Sequence, residues 1–152
     1  MQRVRGTRVA WLAGGFLLVS GLAAVSAPAD SLRVEDAWLR EAPPGQRVAA
    51  LYMRLHNAGP SSIYIEGVRV PVAESASIHQ STESGGMAGM RAVPVLELAP
   101  GAELALTPGG YHIMVFGLKQ QPRAGEQLEF CVLLRDDGEM CAISRVKGLQ
   151  EQ

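Results

Sequence analysis

From Ser31 onward, apolar positions come in short bursts that alternate with polar ones, and no window of useful length carries a helical period. Val34 to Arg40 reads as a strand, with Trp38 as the expected core anchor. Val48 to His56 alternates: Val48, Ala49, Leu51, Met53 and Leu55 supply the apolar side, while Ala50, Tyr52, Arg54 and His56 stand opposite. Ile63 to Ile65 and Val68 to Val70 are β-branched or aromatic, as strands prefer. Ser77 to Gln80, Tyr111 to Phe116, Leu128 to Leu134 and Met140 to Val146 follow, the last two as a hairpin around Asp136-Asp137-Gly138. Pro43-Pro44-Gly45, Asn57-Ala58-Gly59-Pro60, Ala99-Pro100-Gly101 and Pro108-Gly109-Gly110 are turns, and Gly85 to Gly89 reads as a flexible loop that Met90 leaves. About nine short strands at regular spacing predict an all-β sandwich or barrel.

The N-terminus follows another rule. Arg3, Arg5 and Arg8 precede an apolar run to about Val25, which ends in Ser26-Ala27-Pro28-Ala29. That is the layout of a secretory signal peptide, with cleavage expected after Ala29. Residues 1–29 are then the signal and 30–152 a single β domain. The alternative is a retained anchor, although a run of about 17 residues broken by glycines is marginal for a bilayer. Cleavage removes three of the 14 basic residues and none of the 15 acidic ones, which leaves a net charge near −4. With no basic patch, nucleic acid is not an expected partner. In an oxidising compartment the two cysteines, Cys131 and Cys141, can form a disulfide, but only if the hairpin register puts them on one face. The sequence leaves that open.

The candidate chemistry lies between His79 and Met114. His79 and Met90 are separated by ten residues, Met90 and His112 by twenty-one, and His112 and Met114 by one. Two of the chain's three histidines fall here. His112 and Met114 share one face of their strand, with Tyr111, Ile113 and Val115 turned to the core. If His79 and Met90 converge on them, two imidazoles and two thioethers surround one point near the rim. Thioether sulfur is soft and uncharged, which suits copper(I) and disfavours zinc, calcium or magnesium. A blue-copper electron-transfer site needs a cysteine thiolate, and neither cysteine lies in this stretch.

These residues also carry a family resemblance. The spacing His79-x10-Met90-x21-His112-x-Met114 resembles the motif of the periplasmic PCu(A)C copper chaperones. Its surroundings agree: Ile78-His79, Met90-Arg91-Ala92-Val93, Pro108 to Met114, and Asp36-Ala37-Trp38 followed by Pro-Pro-Gly. The resemblance covers about residues 32–147. It implies a cupredoxin-like β-barrel that binds copper(I) through His79, Met90, His112 and Met114. It further implies delivery to the copper-site subunit of cytochrome c oxidase, often its dinuclear centre, sometimes beside a Sco-like thioredoxin-fold protein. The chain lacks the His/Met-rich C-terminal tail of some relatives, so one principal site is expected, on a monomer.

Other residues read more plainly. Met53 belongs to the core, Met140 to the hairpin and His56 to the surface or to structure. Met87 is a solvent-side loop residue, with a spare-ligand role as its alternative. Glu83 and Arg91 read as solvated charges, with orientation of an imidazole or of a partner as the alternative. No nucleophile, base and oxyanion arrangement is recognisable, so no enzymatic activity is expected. Two other functions fit the same sequence: a copper buffer or resistance protein without a dedicated client, and a noncatalytic interaction module whose His/Met cluster is incidental.

Overall fold

The structure, a computed structural model, describes residues 31–136 and 138–150. The signal peptide, its cleavage near Ala29 and the anchor alternative concern residues outside that range. Ten strands follow one another: β1 (Leu32–Arg40), β2 (Val48–Asn57), β3 (Ile63–Arg69), β4 (Ser75–Ser84), β5 (Met87–Ala92), β6 (Leu96–Leu98), β7 (Glu103–Leu106), β8 (Tyr111–Phe116), β9 (Gln127–Leu134) and β10 (Glu139–Lys147). They form one sheet in the order β5-β4-β8-β2-β1-β10-β9-β3-β6, with β7 paired to the second half of β2. Only β1 and β10 run parallel among the described pairs. The sheet curls until β3 lies in contact with β4, and both halves share one apolar core.

Period two builds that core. Leu51, Met53 and Leu55 of β2, Ile78 of β4, Ile113 and Val115 of β8, and Phe130 and Val132 of β9 all point inward and are buried. Each side chain of this size contributes roughly 1.5–3 kcal/mol by leaving water. The faces of β2 and β8 are those the alternation predicts, except that Val48 shares the face of Ala50 and Tyr52 instead of joining Ala49 and Leu51.

Trp38 is not the core anchor expected from its strand. The pairing of β1 with β2 shifts between Glu35 and Trp38, and Asp36 sits there with a φ of 50°. Asp tolerates the left-handed region better than most residues. The extra residue of this bulge exchanges the two faces of β1. Leu32 is inward before it and Leu39 after it, so Trp38 turns outward and is only half-buried. There it stacks on Tyr52, with centroids 4.4 Å apart, beneath the Lys147 ammonium.

The Gly85 to Gly89 stretch also differs from expectation. Gly85 and Gly86 have φ of 61° and 78°, the left-handed pair that a two-residue hairpin turn requires. Ser84 pairs with Met87 at once, and the chain returns as β5 rather than as a loop. Met90 therefore stands on a strand.

Asn57 ties the β2–β3 connection to the end of β6 and the turn that follows it. Fully buried, its amide donates to the carbonyls of Ser61, Leu98 and Ala99 and its Oδ1 accepts from Gly59 N–H. Replacing Asn57 by Ala leaves several of these groups without partners in the interior. The expected loss of stability is about 3 kcal/mol, measured by urea unfolding at neutral pH.

Candidate metal centre

β4 and β8 pair so that His79 lies directly opposite His112, with Ile78 opposite Ile113 on the inner side. The ring centroids of the two histidines are 6.1 Å apart, 27° from parallel. On the other flank of β4, Met90 lies opposite Ser81. Since Ser81 shares a face with His79, so does Met90. The Met90 side chain then reaches across β4 until its Sδ is 3.3 Å from His112 Nε2. Met114 stands two residues beyond His112 on the same face, opposite Ser77 on one side and Ala50 on the other. Its side chain lines a hollow with Arg40, Ala50 and Leu149. All four predicted residues thus share one face of the β5-β4-β8 layer. His79, His112 and Met90 form the close group, with Met114 one step down the strand.

The hydrogen bonds fix the chemistry of the rings. His112 Nδ1 is 3.0 Å from the Gly110 carbonyl, which can only accept, so Nδ1 carries the proton. In the neutral ring Nε2 then keeps its lone pair, and it faces a thioether that offers almost nothing in return. His79 Nε2 is hydrogen bonded to Ser77 Oγ at 2.9 Å, while its Nδ1 is buried without a partner. A buried polar atom with no partner is costly in an ordinary fold. Here one imidazole nitrogen faces a soft sulfur, and the neighbouring ring leaves a second, buried nitrogen without a partner. A monovalent soft cation matches that set; a hard divalent one does not.

Exposure grades across the group. His112 is 5% exposed and Met90 59%. Every residue of β5 is exposed, and β5 is the end strand of the sheet. Glu83 lies on the same face as His79 and lines a hollow beside Met90 with Ser81 and Gly109. Arg91 pairs opposite Gln80, bonds its side-chain oxygen and faces away from the histidines. Met87 is the most exposed of the described methionines, at the hairpin tip. Met53 is core, and His56 is half-buried between Arg33 and Glu103.

Sequence reading did not single out Ser77, Gly110 or the aromatic row. Ser77 and Gly110 each precede their histidine by two, which in a strand means the same face. That spacing is visible in the chain. The row is not: Trp38, Tyr52, His112 and His79 come from four strands, with successive centroids 4.4, 6.4 and 6.1 Å apart. Burial pushes the Tyr52 phenol above its ordinary value, with Arg40 opposing, so it stays neutral as a wall beside His112.

Cys131 and Cys141 face each other across β9 and β10 and are joined, S–S 2.03 Å. This register answers the question the sequence left open. Together with Glu139 the two sulfurs form a compact group, but a disulfide has no thiolate to give a metal.

Fold and site together define a cupredoxin-like PCuAC domain. The solution structure of CuI-DR1885 from Deinococcus radiodurans is 35% identical, with a TM-score of 0.63 over 82% of this chain and 85% of that one. The apo PCuAC domain from PmoF1 is 25% identical, with a TM-score of 0.65 over 78% of this chain and 94% of that one. The family profile described as "Putative lipoprotein LpqE-like" matches residues 32–143, and the chain belongs to that family. The "Putative lipoprotein Lxx21020" of Leifsonia xyli subsp. xyli is 29% identical over 109 residues, 71% of this chain and 64% of that protein. The match thus spans less than two thirds of that relative's length.

Burial first, and the nearby His112 second, hold His79 below the ordinary histidine value of 6.5. The folded state therefore prefers the neutral ring, and the unfolded chain binds the proton more readily. This contribution to stability is complete above about pH 6.5 and is lost as pH falls through the lower folded value. Proton NMR of the metal-free protein should place the His79 midpoint below that of an unfolded control. His79→Gln should flatten the acid side of the stability profile.

Proposed function

We propose that this protein is an extracytoplasmic copper(I) metallochaperone, with His79, Met90, His112 and Met114 as the ligands of its cargo. The contact that carries the reading is His112 Nε2 against Met90 Sδ at 3.3 Å, with the His79 ring 6.1 Å from that of His112 and its buried Nδ1 partnerless. The titles of two neighbours support it: one is CuI-DR1885 and another a copper-bound PCuAC domain from PmoF2. The disulfide supports an oxidising compartment, in keeping with the lipoprotein description of the family and with the signal peptide read at residues 1–29.

The gradient of exposure gives a route for transfer. Met90, on the exposed end strand, is the ligand a partner reaches first. His112, held by the Gly110 carbonyl, is the last to let go. Neutral ligands leave copper(I) its single charge, so an acceptor's donors replace these one at a time without separating opposite charges. The protein acts by ligand exchange and catalyses no reaction. The acceptor we propose is the copper-site subunit of cytochrome c oxidase, at its dinuclear centre, with a Sco-like thioredoxin-fold protein as a second partner and a monomeric chaperone as donor.

Changes around metal ligands alone cost about 10–100-fold in affinity, so loss of ligands should exceed that. Met90→Leu with Met114→Leu keeps the apolar volume. It should weaken copper(I) by more than about 100-fold in competition with a chromogenic chelator, with an unchanged far-UV spectrum. Unchanged affinity would sink the assignment. Transfer to the apo oxidase subunit separates a chaperone from a buffer, because a buffer keeps its metal.

A further inference from the structure

The second constellation lies far along the sheet order, on the outer face of β3, β9 and β10. Arg69 pairs opposite Cys131 and Cys141 pairs opposite it on the other side, so the three side chains form a row. The two cysteines are unlike. Cys131 is fully buried, whereas Cys141 is exposed. The Arg69 guanidinium donates to Cys131 Sγ at 3.2 Å and to Glu139 at 2.7 Å. Ile143, 54% exposed, stands two residues beyond Cys141 on the same face.

A disulfide reacts when a thiolate attacks one sulfur and the other leaves as thiolate. The rate rises with access to the attacked sulfur and with the stability of the leaving thiolate. A cationic neighbour lowers a thiol's pKa and so improves the leaving group. Here access falls on Cys141 and the cation on Cys131. We propose that the Cys131–Cys141 disulfide is a thiol-exchange site, attacked at Cys141, with Arg69 stabilising Cys131 as the departing thiolate.

The step balances. An external thiolate bonds to Cys141 Sγ, the Cys131–Cys141 bond breaks, and its electron pair leaves on Cys131 Sγ. A second external thiolate attacks the external sulfur of this mixed disulfide, and Cys141 leaves as thiolate and takes a proton from water. Two external thiols become one disulfide, and the protein gains the two electrons. Seven residue pairs join β9 to β10, so the hairpin keeps its register without the bond. The alternative for the reduced pair is a metal site with Glu139. Arg69 argues against it, because its charge already sits against both Cys131 and Glu139 and favours an anion there. The inference does not depend on copper.

The test uses the whole protein under native conditions. With glutathione and an iodoacetamide quench, tryptic cleavage at Arg123, Arg135 and Arg145 separates the two cysteines into peptides 124–135 and 136–145. The glutathione adduct should lie on the Cys141 peptide and the carbamidomethyl group on the Cys131 peptide. With dithiothreitol, Arg69→Ala should slow reduction about tenfold, while Arg69→Lys, which keeps the charge, retains most of the rate. Rates are compared well below the unfolding midpoint of the least stable variant, and unfolding is measured beside them. An adduct on Cys131, equal rates in all three proteins, or reduction only in denaturant overturns the proposal.

Discussion

The register of β4 on β8 is the constraint on which the site depends. His79 opposes His112 outside because Ile78 opposes Ile113 inside. The two isoleucines are almost fully buried. A one-residue slip would expose both and drive an imidazole into the core, at a cost on the order of several kcal/mol. The apolar ladder therefore holds the polar one. This lets the partnerless His79 Nδ1 persist: the strand that carries it is fixed from the other side.

The same arrangement divides rigidity from access. β8 is central, paired to both β2 and β4, and its His112 is locked by a backbone carbonyl two residues away. β5 is terminal and wholly exposed, joined to β4 by a two-glycine turn. Local opening is cheapest where few apolar contacts are lost. A soft sulfur on such a strand, against a nitrogen on a fixed one, is an arrangement that can hold a guest and also release it. The disulfide hairpin, at a distance in the sheet order, has its own polarity: one cysteine buried beside a guanidinium, the other exposed.

Much of the fold was legible because period-two alternation is a local property. The faces of β2 and β8 follow from it directly, and so does the shared face of His112 and Met114. Trp38 was misplaced because the Asp36 bulge exchanges the faces of β1, and a bulge shows only against its partner strand. The return strand β5 was hidden by its small and exposed residues, which lack the apolar signature of a strand. The pairing of β4 with β5 across Gly85-Gly86 supplies what local preference does not.

The chain by itself fixed an all-β domain and the identities and spacings of four donor side chains, because alternation and donor chemistry are written residue by residue. Tertiary structure decided which of those donors meet, which nitrogen of His112 is free, that Tyr52 and Trp38 extend the histidine row, and that Cys131 faces Cys141. Each of these depends on how strands distant in sequence pair, and pairing is set by burial summed over the whole core.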